Sequence, residues 1–575
     1  MLSLELSSNN ELNCFRIGPP AKYKGFMVQA VMTTPSPAVA SLKPLAAATG
    51  GAAAAFNPKE KPTQVRASNM AAARAVADVV KTSLGPRGMD KMIQNGKGQV
   101  IVTNDGATIL KNLQVLHPAA RMMVELSEAQ DSAAGDGTTS VVVMAGALLA
   151  AAESALAKGI HPTTISESFR TAVERASEFV ETEMGLPVDT KNKDALVKCA
   201  LTSLSSKVVS SSGPHIAGLA AQAILTAAAG TTDGSFELDD IRVVPRLGGT
   251  LEDMRLIEGL VLPRAVNKSA GGPNRMDKAR IGLIQFQLSP PKTDMESNIV
   301  VADYQQMDRI LREERAYILD LCKRIKKTGC NVLLVQKSIL RDAVSEMARH
   351  YLAKLKILLV EDIERDQIEY LARVLHCRPV ADIDSFAEER LASADLVEEV
   401  EDEGAAFIQV IGLPKAAASQ AVSVLVRGAN QVVLEEAERS LHDALCALKS
   451  LLRKPLMIVG GGAAEAHIAV RLAQYAQTVS GASAFCLAAY AEALEVIPCI
   501  LAENAGQFPV PVLAELKKRH AAGDVHAGIS VRRAAVSDMR EEGVFQPAFV
   551  TLSALQLATE TVCMILKIDD IVEGR

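Results

Sequence analysis

Two stretches of this sequence could hold a phosphate together with a divalent cation. A-G-D-G-T-T-S occupies residues 134–140 and T-N-D-G-A-T occupies 103–108. Each puts an Asp-Gly, Asp136 in one and Asp105 in the other, at the mouth of what reads as a helix. A Gly-Asp-Gly-Thr-Thr turn entering a helix offers the free N–H groups of the first turn, the positive end of the helix dipole and two threonine hydroxyls, all suited to anionic oxygens. The Asp136 carboxylate repels a phosphate but suits Mg2+, which is typically held by one or two carboxylates plus substrate phosphates and water. The same residues also suit a plain capped turn, where Asp, Gly and Thr are ordinary. On this peptide by itself both readings stand.

Other stretches could complete a nucleotide site. Leu84-Gly85-Pro86-Arg87-Gly88 is a glycine turn after a helix, T-S-L-S-S-K at 202–207 ends in Lys207, and Gly460-Gly461-Gly462 follows an apolar strand, where backbone could approach a nucleotide. Each also has a purely structural reading: a helix stop, a solvated lysine, a packing turn. The sequence has neither a G-x-x-x-x-G-K-[ST] phosphate loop nor a G-x-G-x-x-G fingerprint, so bound ATP would sit in a less common kind of site. In the helical stretch 435–448, Asp443 shares a face with Glu436 and Arg439. That face reads as solvated, with an Arg439–Asp443 pair at i,i+4 worth roughly 0.2–0.5 kcal/mol.

The elements that must position these residues follow from pattern. At 575 residues the chain is too long for one core. With 49% hydrophobic and 22% charged residues it has a globular composition. A formal charge of −6 gives no reason to expect nucleic acid or an anionic membrane as partner. Nine scattered cysteines without a C-x-x-C pair indicate neither a zinc ribbon nor a disulfide framework, and a reducing compartment fits best. The charge-free apolar run Val141–Ala152, closed by Glu153, is short of the roughly 20 residues a membrane-spanning helix needs.

Residues 12–59 contain no Asp or Glu and carry many prolines, which reads as a disordered extension rather than a helical targeting signal. Helices are predicted over 69–83, 107–113 and 138–158, with a short strand at 99–103, so each Asp-Gly lies at a helix entry. Strands at 279–288, 331–335 and 356–360 alternate with helices near 303–327, 338–354 and 365–375, the order of an α/β layer. Strand 422–426, helix 432–448 and strand 456–459 lead back to a helix-rich end that resembles the beginning. This pattern suggests an α/β domain inserted into a helical one, to which both chain ends contribute.

Taken together, S-L-G-P-R-G-M-D-K-M (83–92), T-N-D-G-A-T-I-L (103–110), A-G-D-G-T-T-S (134–140), E-R-S-L-H-D-A-L (438–445) and V-G-G-G-A (459–463) resemble a group II chaperonin in order and spacing. The resemblance covers about residues 60–575. It implies a multidomain α/β chaperonin fold: a mainly helical equatorial domain (61–196 and 456–575), a small intermediate domain (197–257 and 419–455), and an inserted α/β apical domain (258–418) with a helical lid protrusion near 290–327. Residues 1–60 remain the disordered extension.

The resemblance also implies a cytoplasmic ATPase, one of several paralogous subunits in a hetero-oligomeric double ring. That ring encloses unfolded protein clients such as actin and tubulin, with no nucleic acid or membrane partner. Carried over position by position, Asp136 binds Mg2+. Gly137, Thr138, Thr139 and Ser140 hold ATP phosphates together with Gly85 and Pro86. Lys207, with Ser206 beside it, senses the γ-phosphate, Gly461 lines the nucleoside pocket, and Asp105 and Asp443 position and activate the attacking water. The chain departs from the family pattern at Ala464, where Pro is usual before Glu465, and again at Ala466, His467 and Ser530. These departures affect the nucleoside end. Two rivals remain: a ring subunit that binds ATP with little hydrolysis, and a small-molecule kinase, for which no acceptor-site signature is present.

Overall fold

The computed structural model describes residues 62–94, 96, 98, 100–228, 238–267, 270–290, 301, 303–338, 342–402, 405–413 and 421–572, all within the unit Glu60–Arg575. The expected extension 1–60 and the residues 291–300 of the expected protrusion lie outside them.

The chain begins with α1 (Pro62–Lys81), which buries Met70, Ala73, Ala77 and Val80 at helical spacing. Gly85, at φ +89°, then turns the chain. A two-stranded antiparallel ribbon, β1 (Lys91–Gln94) and β2 (Val100–Thr103), leads into four helices: α2 (Gly106–Lys111), α3 (Pro118–Ala133), α4 (Thr138–Ala157) and α5 (Pro162–Phe179). Pro118 and Pro162 stand at first-turn positions, and the side chains of His117 and His161 accept from Ala119 N and Thr163 N.

The middle of the chain runs through β3 (Leu186–Pro187), α6 (Lys193–Leu204), α7 (Gly213–Ala228), β4 (Ile241–Leu247), β5 (Arg255–Leu262), β6 (Arg275–Ile284), α8 (Tyr304–Lys327), β7 (Val332–Gln336), α9 (Glu346–Lys354), β8 (Leu358–Ile363), α10 (Arg365–Val374), β9 (Ala392–Asp402), β10 (Ala405–Ile411) and β11 (Val422–Gly428). Eight of these strands form one sheet in the order β4-β11-β5-β10-β9-β6-β7-β8. The run β6-β7-β8 is parallel, as the expected α/β layer requires, with α8 and α9 as its crossovers. Both faces of that layer are covered, so its strands read as continuous apolar runs. Val332, Leu334, Leu358 and Val360 pack with Ile368 and Leu371 of α10. Leu333, Val335 and Leu359 pack with Ile318, Leu321 and Ile325 of α8 and Leu352 of α9.

The start of one helix departs from expectation, and the burial of another bears on the expected protrusion. The helix expected over 338–354 begins only at Glu346, because Ser345 caps it by accepting from Ala348 N, and Val344 before it pairs with Leu288. In α8 only the second half is buried. Tyr304, Met307 and Leu311 of its stripe are exposed, beside the exposed pairs Arg309–Glu313 and Arg312–Asp308.

The chain closes with α11 (Gln431–Arg453), β12 (Leu456–Val459), α12 (Ala463–Thr478), α13 (Ala482–Leu494), α14 (Val496–Asn504), α15 (Pro509–Ala521), β13 (Ala527–Ser530), β14 (Ala535–Asp538), β15 (Phe545–Pro547) and α16 (Ala548–Lys567). One hydrophobic core draws on both ends of the chain, from Met70 to Met184 and from Ile458 to Leu566. A second joins α6 and α7 to β11, α11 and β12. Among the described residues, three stretches are long and apolar enough to cross a membrane by length and composition: Thr138–Ala157, Ala482–Asn504 and Ala548–Lys567. Counting only Val141–Ala152 understated the first, since one acid in a 20-residue helix leaves it apolar. Here Leu148, Leu149, Tyr490, Leu494, Leu555 and Ala558 from these stretches are buried in the same cluster, so their apolar faces meet one another.

Candidate functional site

The two Asp-Gly turns meet because the chain leaves along α2 and returns along α3. Asp105 caps α2: one carboxylate oxygen accepts from Thr108 N at 2.9 Å and Thr108 Oγ1 at 2.7 Å. Its other oxygen accepts from Thr138 Oγ1 at 3.0 Å, across to the second turn. The approach is so close that a Cβ on Gly106 would lie 2.8 Å from Thr139 N, which is why the first turn reads Asp-Gly. In the second turn Gly137 sits at φ +77° as the cap residue of α4 and supplies no side-chain acceptor, so the first-turn N–H groups of Thr138, Thr139 and Ser140 lack the capping bond that α2 has. The Asp136 carboxylate accepts from Gly137 N at 2.7 Å.

From the other side α11 lies directly on this turn. A Cβ on Gly135 would fall 2.1 Å from Cys446 Cβ, and Ser450 Oγ donates to the Ala134 carbonyl at 3.2 Å. Asp443, one turn before Cys446, is buried rather than solvated and pairs with Lys207 Nζ at 2.6 Å. This corrects the expected Arg439–Asp443 pair: Arg439 bonds Glu436 at 2.7 Å instead. The helix face read as solvated is covered by the 203–207 segment, whose Ser206 carbonyl accepts from Asn104 Nδ2 at 2.9 Å.

Asp105, Asp136 and Asp443 therefore crowd around a single lysine. Burial by itself would push the Lys207 ammonium down, but the carboxylates of Asp443 and Asp105 more than reverse this, and it stays charged. Burial likewise raises Asp105, yet Lys207 and the bonds from Thr108 and Thr138 bring it below the ordinary range. Asp136 is held above that range by burial, against Lys207 and the Gly137 N–H. Burial pushes Asp443 up to about 8, with Lys207 opposing and the other two carboxylates adding to the rise. One ammonium cannot neutralise three carboxylates, so the cluster retains a proton that belongs to the group rather than to one residue.

A stability consequence follows. Between the ordinary aspartate value of 3.8 and about 8, the folded chain holds a proton that the unfolded chain has lost, so this contribution is complete below that window and vanishes as pH rises through it. The melting temperature of the nucleotide-free chain is expected to fall from about pH 6 to about pH 8.5, and Asp443→Asn is expected to flatten that slope. Equal slopes in the two proteins would count against the shared proton.

A second group of predicted residues converges elsewhere. Gly85, at φ +89°, and Gly462, at φ +76°, both pack on Leu501: a Cβ would lie 2.6 Å and 3.4 Å from its methyl carbons. Gly461, at φ +72°, abuts Met539 and accepts from Ile529 N at 3.0 Å. Pro86 beside Gly85 is exposed. At the departures from the family pattern, Ala464 is fully buried, His467 bonds Glu183 at 3.0 Å, and Ser530 donates to Glu542 at 2.9 Å, so each is committed to internal packing or bonding.

Sequence reasoning missed Asn104, although it stands inside the quoted motif, and Gln130, which carries no local signal at all. Gln130 is fully buried in α3 and donates to the Asp136 carbonyl at 2.9 Å.

Among the described residues no group of three or more His, Cys, Asp or Glu side chains is arranged to bind a metal by itself. The donor set instead suits an ion that takes one carboxylate and finds its other ligands on a phosphate and water. A buried excess of negative charge beside open helix N–H groups suits such a pair.

The TCP-1/cpn60 chaperonin family model matches residues 76–575. The chain belongs to this family. Among curated relatives, the chaperonin chain is 53% identical to T-complex protein 1 subunit delta of Homo sapiens over 541 residues, 93% of this chain and 99% of that protein. It is 54% identical to the subunit of the same name from Schizosaccharomyces pombe over 521 residues, 91% of this chain and 98% of that protein. With the Yarrowia lipolytica subunit it shares 55% identity over 527 residues, 91% and 99% of the two chains. The multidomain α/β chaperonin fold expected from the motifs is thereby established.

Proposed function

We propose that this chaperonin chain is an ATP-hydrolysing subunit of a cytoplasmic hetero-oligomeric double ring, built with paralogous subunits, that encloses and folds unfolded polypeptides, actin and tubulin among them. The observation that carries the reading is the convergence of Asp105, Thr138, Asp136, Lys207 and Asp443 from four separate segments at the open N-terminus of α4. Packing alone has no use for three carboxylates around one lysine, since unpaired buried charge is costly. A nucleotide site does.

In this reading Asp136 holds Mg2+, which supplies charge neutralisation on the transferring phosphate. The N–H groups and hydroxyls of Thr138, Thr139 and Ser140 hold phosphate oxygens, with Gly85 and Gly461 leaving room for backbone approach. Lys207 adds a fixed positive charge. Asp105, its carboxylate locked by Thr108 and Thr138, orients a water, and Asp443, acting in its ionised form beside Lys207, takes the proton from it. Asp443 stands on α11, whose core also takes in α6 and α7, so movement of that unit over the turn would gate the reaction. The hydrophobic clusters support the division into equatorial (61–196 and 456–575), intermediate (197–257 and 419–455) and apical (258–418) parts: one draws on the first pair of ranges, one chiefly on the second, and two on the third. Native mass spectrometry combined with Mg2+-dependent ATP turnover tests the whole. A monomer that hydrolyses no ATP would sink it.

The exposed first half of α8 suits a lid protrusion. Replacing residues 291–312 with a short Gly/Ser linker is expected to leave ATP binding intact and prevent this subunit from closing its sector of the chamber. In the parent, protease cleavage of this segment is expected to be suppressed by an ATP transition-state mimic. Unchanged cleavage with and without the mimic would show that it is no lid.

A further inference from the structure

Gln130 lies on α3, outside the quoted motifs, yet both polar atoms of its side chain are bonded beneath that site. Its backbone carbonyl accepts from Ala134 N at 2.9 Å and Gly135 N at 3.2 Å. Its Nε2 donates to the carbonyl of Asp136 at 2.9 Å and to that of Val550 at 3.4 Å. Its Oε1 accepts from Ser553 Oγ at 2.9 Å. The amide orientation is fixed by chemistry, because two carbonyls can only accept and so must face the NH2 group. A Cβ on Gly137 would stand 3.6 Å from Nε2 and 3.0 Å from the Val550 side chain, so Gln130 and Val550 form the floor under that glycine.

We infer that Gln130 is a positioning residue: it fixes the peptide that follows Asp136, and ties the metal-holding turn to the C-terminal segment that builds the nucleoside end. The connection is continuous. Val550 and Ser553 open α16, directly after β15. That strand pairs with β12 at Val459↔Phe545, and Gly460 N, at the start of the triple glycine, donates to the Val544 carbonyl at 3.1 Å. The turn at 134–137 and the turn at 460–462 are thus held through one amide and one strand pair. Holding the Asp136 carbonyl also fixes the next N–H, which donates to the Asp136 carboxylate at 2.7 Å, and with it the direction of that carboxylate. Groups that orient a metal ligand without touching the metal are typically worth about 10–100-fold in metal affinity.

This inference rests on the nucleotide reading above, and its test separates the two. The full-length chain and the variants Gln130→Met and Ser553→Ala are compared by direct Mn2+ binding in the presence of saturating ADP, followed by electron paramagnetic resonance, and by ATP turnover over a range of Mg2+. Gln130→Met keeps the volume but removes the side-chain donor to the Asp136 and Val550 carbonyls. It is expected to weaken Mn2+ binding about tenfold and to raise half-saturating Mg2+ by a similar factor, while kcat at saturating Mg2+ stays within about threefold. Ser553→Ala, which frees the far end of the amide, is expected to shift metal binding in the same direction by about threefold, and it carries the test if Gln130→Met does not fold. Unchanged Mn2+ binding in folded variants, or a loss confined to kcat, would overturn the positioning role. A parent chain that binds no Mn2+ with ADP would overturn the nucleotide reading instead.

Discussion

Replacing Asp443 by Asn is expected to lower ATP turnover by about 10²–10⁴-fold while nucleotide affinity stays within about threefold, since general-base assistance to a water is typically worth that much and the carboxylate takes no part in holding phosphate or metal. Asn is the right test because its shape keeps a partner beside Lys207, 2.6 Å from Asp443 in the parent. Alanine would leave a buried ammonium facing a void, and breaking a buried pair in this way is strongly destabilising. Single-turnover hydrolysis with pre-bound ATP is the measurement. Turnover within twofold of the parent would remove Asp443 from the reaction.

Asp136→Ala is expected to do the opposite and abolish Mg2+-dependent nucleotide binding, with at least about 100-fold weaker Mg·ADP affinity, because even outer-shell partners of a metal are worth 10–100-fold. Nucleotide affinity in excess EDTA should change little. The variant should be at least as stable as the parent: burial holds the Asp136 carboxylate above its ordinary range, so the folded chain pays to keep it there. Calorimetric titration of ADP with and without Mg2+, alongside a melting curve, separates the cases. Equal Mg·ADP affinity in variant and parent would show that the metal is held elsewhere, and a large fall in melting temperature would give Asp136 a structural role instead.

These two aspartates show how much the sequence could say. Asp136 was legible because its chemistry is local: a left-handed glycine, a helix entry and two hydroxyl residues are consecutive in the chain. Asp443 was not. On its helix it shares a face with charged residues and reads as solvated, and only the packing of the 203–207 segment and the 134–137 turn against α11 makes it a buried partner of Lys207. The motif resemblance singled it out, while its periodicity pointed the other way.

What the sequence determined by itself were the features set within a few residues: the helix entries at Asp105 and Asp136, the glycines that must turn with positive φ at 85, 137 and 461, the alternation of strands and helices from β6 to α10, and family membership through motif order. Only the tertiary structure decided that α9 starts at Ser345's cap, that three membrane-length apolar stretches share one core, that Arg439 pairs with Glu436 instead of Asp443, and that Gln130 bonds a carbonyl of the metal-holding turn. The physical reason is range. Backbone conformation and capping respond to neighbours within about one helical turn, whereas burial, ion pairing and the proton affinity of a carboxylate depend on which distant segment comes to lie against it.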